Sequence, residues 1–275
     1  MNPPISSLLF SCPVCGAPLT DDAARLFCPQ GHSFDWSKYH YVNLALSNAS
    51  GGKRHGDDRA MVLARQAFLD AGHYAPLRDA VCALLKERLI GAARILDVGC
   101  GEGSYTAAMQ TACPDAAVAG VDLSRDALRQ AAKRDRRLQL AVASAARLPA
   151  ADASFDTVTC LFAPMEAAEY ARVLRPGGLL VWAVVLEEHL MGLKAAVYDR
   201  PVPNPPPVER LPGFRLTARQ DIRYELHLTE SAQIQALFQM TPYYYKTSRA
   251  DQEKLLRLEA LDTSVAFGLM VYEKA

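Results

Sequence analysis

Ile95-Leu96-Asp97-Val98-Gly99-Cys100-Gly101-Glu102-Gly103-Ser104 is the stretch that decides the fold: an apolar run enters a glycine-rich turn, and a helix-forming segment leaves it. Glycine lets the chain reverse sharply there and lets a ligand lie directly on main-chain amides at the N-terminus of the following helix. Working outward, Val118-Ala119-Gly120-Val121-Asp122, residues 138–142, 155–162 and 179–185 are further short apolar runs, separated by helix-like segments. Strands that alternate with helices pair in parallel, so the pattern predicts an α/β, Rossmann-like doubly wound sheet. Ser124 is a plausible N-cap, and Pro176-Gly177-Gly178 ends the helix that contains Arg172-Val173-Leu174. Upstream, Leu77, Val81, Leu84, Leu85 and Leu89 mark one apolar helix face. Downstream, six prolines between 201 and 212 make an extended loop. Beyond it Ile222, Tyr224, Leu226, Leu228 and then Val265, Phe267, Leu269, Val271 alternate with period two, predicting two antiparallel strands at one edge.

The spacing of the glycines discriminates between cofactors. A dinucleotide fingerprint, Gly-x-Gly-x-x-Gly, would place glycine at 104, where Ser104 stands. Asp97, Gly99, Gly101 and Gly103 instead give Asp-x-Gly-x-Gly-x-Gly, the form that holds S-adenosylmethionine, with Ser104 and Tyr105 opening the helix. Asp122 ends the next strand, 23 residues after Gly99, and is placed to accept both ribose hydroxyls. Two competing readings are a bare strand-to-helix turn and a nicotinamide site.

A second motif is of another kind. Cys12-Pro13-Val14-Cys15-Gly16 and Cys28-Pro29-Gln30-Gly31-His32 are two short knuckles whose donors, Cys12, Cys15, Cys28 and His32, can surround one zinc ion. Cys3His fills all four positions of a tetrahedron, so the zinc is expected to be structural. The competing reading is a group of reduced buried cysteines beside a satisfied histidine. Cys82, Cys113 and Cys160 lack such partners and are expected to be core or incidental, and Cys100 is expected to pack within the turn.

The chain has 275 residues, half of them apolar, with 30 basic and 30 acidic residues. That excludes a disordered chain, a disulfide scaffold and a chain-wide positive field for nucleic acid. The longest apolar run, residues 179–186, is far short of the ~20 residues that cross a bilayer. The uncharged, proline-containing N-terminus does not read as a secretion signal, so a cytoplasmic location and no membrane partner are expected. Composition divides near residue 57: residues 1–56 read as a zinc-binding, RNA-recognising module with a linker of small polar residues at 47–52, and residues 57–275 as the cofactor-binding domain. The two are expected to have separate cores.

From Arg94 onward the chain resembles class I methyltransferases, with Arg172-Val173-Leu174-Arg175-Pro176-Gly177-Gly178 before the fifth strand. Ser144-Ala145 departs from the Asp-Ala that many of them carry against the adenine. Joined to the Cys3His knuckle, the whole is similar to the RlmA/RrmA family of 23S rRNA (guanine-N1)-methyltransferases. The residues that carry this include Phe34-Asp35, Tyr41-Val42-Asn43-Leu44, Ala67-Phe68-Leu69-Asp70-Ala71-Gly72-His73-Tyr74, Phe162-Ala163-Pro164, His189-Leu190 and Gln239-Met240-Thr241-Pro242. The resemblance implies that Tyr74 and His189 lie near the cofactor and that the four knuckle residues hold zinc. It also implies that the substrate is a guanine in a hairpin loop of 23S rRNA, with a homodimer left open as the assembly.

Methylation at guanine N1 must dispose of the N1 proton, for which Asp57, His73, Glu166 and His189 are unranked candidates. Tyr243, Tyr244 and Tyr245 with Lys246 could stack a splayed base, and Lys53-Arg54-His55 with Arg59 could track phosphate, although ordinary core and surface roles serve each equally well. Two rival functions remain: a methyltransferase for a small metabolite, and a non-enzymatic zinc-containing RNA-binding adaptor.

Overall fold

The structure, a computed structural model, describes residues 8–46 and 58–275. The expected linker at 47–52, Lys53-Arg54-His55 and Asp57 lie outside the described residues.

The knuckle region forms a small antiparallel sheet, β1 (Thr20–Asp21), β2 (Arg25–Phe27) and β3 (Ser33–Asp35), followed by β4 (Val42–Asn43). Helices α1 (Arg59–Asp70) and α2 (Ala75–Arg88) lead into the alternating region. That region comprises β5 (Arg94–Val98), α3 (Ser104–Ala112), β6 (Ala117–Asp122), α4 (Arg125–Arg134), β7 (Gln139–Val142), β8 (Phe155–Leu161), α5 (Ala167–Val173) and β9 (Leu174–Val185). The chain ends with α6 (Met191–Val197), β10 (Phe214–Leu228), α7 (Ser231–Gln239), α8 (Arg249–Leu256) and β11 (Leu261–Lys274). The sheet order is β10-β11-β9-β8-β5-β6-β7-β4. Strands β4 to β9 run parallel within it. The long terminal pair is antiparallel, with β11 beside β9 and β10 at the edge. The class I architecture and its antiparallel edge therefore stand as expected.

Local chemistry sets the element boundaries. Asp58 Oδ1 accepts from Met61 N at 2.9 Å to start α1, and Ser124 Oγ accepts from Ala127 N at 3.2 Å to start α4. Alternation then divides the sheet residues between two cores. Ile95, Val118, Leu140 and Val142 join α1 to α4 on one side. Leu96, Val98, Ala119, Val121 and Ala141 face the other.

That second face corrects the expectation of separate cores. Helix α5 follows β8, but no helix follows β7, since residues 143–154 contain none. Leu9, Phe10, Leu19 and Leu26 of the knuckle region pack in the same cluster as Ala119, Val121 and Ala141. Polar contacts fix the docking: Ser11 N donates to Pro149 O at 2.8 Å, Leu9 N to Gln139 Oε1 at 2.8 Å, and Arg147 Nη2 to Pro13 O at 3.2 Å. Strand β4 pairs with β7 in parallel, and Leu44 N donates to Val142 O at 3.0 Å. The knuckle region thus covers the sheet where a crossover helix is missing, and composition alone could not show that. No helix among the described residues is long and apolar enough to cross a membrane.

Candidate cofactor site and metal centre

The glycine turn sits at the C-terminal end of β5, between β6 and β8, the point where the strand order reverses and open α/β sheets bind ligands. Gly99, Gly101 and Gly103 all have positive φ, at 70°, 55° and 83°. Their surroundings differ. A Cβ at Gly99 would lie 2.4 Å from Ala163 Cβ, and one at Gly103 2.7 Å from Ala131 Cβ. At Gly101 a Cβ would meet, among the described residues, only Arg65 Nη1, at 3.7 Å. Two glycines therefore allow close packing, and the middle one leaves space a ligand can use. Gly99 N and Cys100 N both donate to Val121 O, tying the turn to β6. Cys100 packs its thiol against Gly120, where a Cβ would come within 2.9 Å of Sγ, and burial pushes that thiol well above its ordinary pKa. It is a packing residue.

Asp122 ends β6 with its carboxylate accepting from Gly101 N at 3.0 Å and from Ser124 N at 2.7 Å. It therefore lies directly beside the open part of the turn. Asp97 does not. It is 2% exposed, and its oxygens accept from Thr106 Oγ1 at 2.5 Å and Thr159 Oγ1 at 2.8 Å, so it braces the turn from beneath. Burial raises its pKa to about 6. The two threonine hydroxyls oppose this and the nearby Asp122 charge adds to it. A carboxyl raised in the folded state favours folding below its unfolded value near 3.8, and this contribution is lost as pH climbs to about 6. Asp97→Asn removes the titration. The stability difference between variant and wild type should grow in the variant's favour across that window, by up to roughly 3 kcal/mol. Denaturant unfolding at pH 4, 5, 6 and 7 measures it, and parallel curves would refute the assignment.

The resemblance-implied residues converge from separate elements. Tyr74, at the start of α2, stacks edge-on to Phe267 of β11 at 4.9 Å, and the His189 ring lies 4.7 Å from Phe267 and 6.2 Å from Tyr74. His189 Nδ1 accepts from Ala266 N at 3.2 Å. Burial, with the Lys194 charge adding, depresses His189 to about 3, so it stays neutral and is no base near neutrality. Among the described residues, His73 Nε2 and Tyr105 OH are buried without a partner, the kind of orphan that a ligand satisfies. Glu166 precedes the first turn of α5, beyond the end of β8. Ser144 Oγ accepts from Ala146 N at 3.3 Å past the end of β7. Glu102, 2% exposed, is paired with Arg134, whose Nε lies 2.6 Å from Oε2.

Of the three adjacent tyrosines, Tyr243 donates to Asn204 Oδ1 at 3.1 Å and Tyr244 packs on Phe238. Tyr245 is exposed and donates to Asp58 Oδ2 at 3.4 Å, at the start of α1 beside the exposed Arg59. The side chain of Lys246 lies outside the described set.

The donor atoms of Cys12, Cys15, Cys28 and His32 all lie within 4.8 Å of one another. Cys15 Sγ is 3.7 Å from Cys28 Sγ, while His32 Nδ1 is 3.3 Å from Cys28 Sγ and 3.6 Å from Cys12 Sγ. A tetrahedron with Zn–S near 2.3 Å and Zn–N near 2.0 Å has edges of about 3.5 to 3.8 Å, so the set fits zinc, with Nδ1 as the histidine donor. Gly16 and Gly31 close the two knuckles at φ 74° and 83°, donating to Cys12 O and Cys28 O. Cys82, Cys113 and Cys160 join no such group among the described residues.

Comparison with known proteins agrees with both halves. A family model described as "RlmA, N-terminal", a zinc ribbon, matches residues 10–46, and one described as "Methyltransferase domain" matches residues 95–178. A protein of Micromonospora griseorubida named as a 23S rRNA (guanine-N(1)-)-methyltransferase is 38% identical over 79% of this chain and 75% of its own length. One from Bacillus subtilis (strain 168) with the same designation is 31% identical over 96% of both chains. The 23S rRNA (guanine(748)-N(1))-methyltransferase of Streptomyces fradiae is 36% identical over 68% of this chain and 66% of its own.

Proposed function

Because the chain belongs to the RlmA family of 23S rRNA (guanine-N(1)-)-methyltransferases, we propose that it methylates N1 of one guanine in a hairpin loop of 23S rRNA, with S-adenosylmethionine as donor. The observation that carries this reading is the pairing of two features. One is an open glycine turn with Asp122 beside it at the sheet's switch point. The other is a four-donor zinc ribbon docked on the same sheet. A small-metabolite methyltransferase has no evident need of the ribbon, and an adaptor has none of the turn.

S-adenosylmethionine, when bound, supplies an electrophilic methyl group on a sulfonium centre. The chain's residues bind and orient it. Asp122 offers its carboxylate to the ribose hydroxyls, the amides around Gly101 form the floor, and Tyr105 OH and His73 Nε2 are polar atoms with no partner among the described residues. Tyr74, His189 and Phe267 form an aromatic wall that excludes water, and His189 adds no positive charge to repel a sulfonium because burial keeps it neutral. Positioning in a dry site supplies most of the rate. His189 is too weak a base to accept the N1 proton, which leaves His73, Glu166 and solvent among the described groups. Cys12, Cys15, Cys28 and His32 hold zinc away from this chemistry and leave it no open position, so its role is structural. The ribbon's docking on the sheet that carries the glycine turn supports a role in presenting RNA.

Incubation with labelled cofactor and either unmodified 23S rRNA or a metabolite pool tests the reading. Label is expected in the RNA, and primer extension should stop at one loop guanine because the N1-methyl blocks the Watson–Crick edge. Label confined to small molecules, or to neither substrate, would overturn it.

A further inference from the structure

We infer that Arg65 receives the carboxylate of the methionine portion of S-adenosylmethionine, an inference that rests on the cofactor reading above. The first observation is where this arginine sits. On α1, Met61, Val62, Arg65, Phe68 and Leu69 recur at one-, three- and four-residue intervals and form a single helix face, and the other four are buried. Arg65, half-buried, is the only charge on that stripe, which packs chiefly against α7 and to a lesser extent against α4 and α3.

The second observation is what it faces. The space above Gly99 is filled by Ala163 and that above Gly103 by Ala131, whereas above Gly101 the nearest group among the described residues is the Arg65 guanidinium. The one ligand-accessible part of the turn is thus bordered by a planar, bidentate cation. The buried Tyr105 hydroxyl, which has no partner among the described residues, lies close enough to feel the same charge.

The third is charge balance. The carboxylates already at the turn have donors of their own: Asp97 has two threonine hydroxyls, Glu102 has Arg134, and Asp122 has two main-chain amides. An amino-acid carboxylate brought in by a ligand needs donors too, and a guanidinium fork matches its two oxygens.

The test compares S-adenosylmethionine with its decarboxylated analogue, which keeps the adenosine, the sulfonium and the amine and lacks only the carboxylate. In calorimetric titration, Arg65→Met, which keeps the aliphatic stem, should raise the Kd for S-adenosylmethionine roughly 10- to 100-fold. The Kd for the decarboxylated analogue should change less than about threefold, and Arg65→Lys should fall between wild type and Arg65→Met for the first ligand only. If Arg65→Met does not give a cooperative melt, Arg65→Lys and Arg65→Gln carry the same comparison. Equal losses for both ligands would mean that Arg65 acts only through packing, and no loss would mean no contact; either overturns the assignment. Failure of the wild-type chain to bind either ligand would instead overturn the cofactor reading on which it rests.

Discussion

Gly101→Val is expected to abolish S-adenosylmethionine binding, with at least a hundredfold rise in Kd, in a chain that still folds. Among the described residues a Cβ at this position would meet only Arg65 Nη1, at 3.7 Å, so the described fold loses little beyond the strain of a branched residue at φ 55°. That strain is about 1–2 kcal/mol or somewhat more for valine. The same side chain fills the volume where the cofactor must touch main chain. Gly103→Val is the internal contrast: its Cβ would lie 2.7 Å from Ala131 Cβ and 2.8 Å from its Cα, so the α3–α4 packing should break and the melting midpoint fall sharply. Asp122→Ala should also abolish binding, because one substitution removes the ribose acceptor and the group that holds Gly101 N. Circular dichroism separates folding from binding in each case. Wild-type affinity in both Gly101→Val and Asp122→Ala would remove the cofactor from this turn.

The turn was legible in the sequence because its signal is local. Three glycines at alternate positions after an apolar run state a backbone requirement that the φ angles then meet, and Asp122 is fixed by the length of one strand-helix-strand unit. The zinc ligands were legible for the same reason, two pairs on two tight turns. Residues that act through tertiary approach were not. Val42 and Asn43 pair with β7 over two residues, too few for any periodicity to register. Arg65 was missed although its helix face was readable: Met61, Val62, Phe68 and Leu69 bracket it at helical spacing, and a charge inside such a stripe was the available sign. Asp97 belongs to the motif but faces Thr106 and Thr159, and no spacing rule distinguishes a carboxylate that braces a turn from one that touches a ligand.

Because the ribbon completes the second core, loss of its metal should destabilise the whole chain. Purified protein should contain about one zinc per chain, and Cys28→Ser or a strong chelator should lower a single unfolding midpoint by on the order of 10 °C or more. The argument runs from the face of β6 and β7 that α5 does not reach. Ala119, Val121 and Ala141 are covered there by Leu9, Phe10, Leu19 and Leu26, and a segment of about 40 residues cannot hold those side chains in place without its staple. Once the knuckles open, the hydrogen bonds from Ser11 to Pro149 and from Leu9 to Gln139 lose their support, β4 leaves the edge of β7, and an apolar sheet face meets water. Deleting residues 1–50 should therefore yield an aggregating fragment rather than a methyltransferase domain that merely lacks RNA recognition. The ribbon's contribution to RNA binding is better tested by reversing the charge of exposed residues such as Lys38 while the metal stays bound. Two separate transitions in calorimetry, with the larger one unmoved by chelation, would show that the sheet does not depend on the ribbon and that the shared apolar cluster contributes little to its stability.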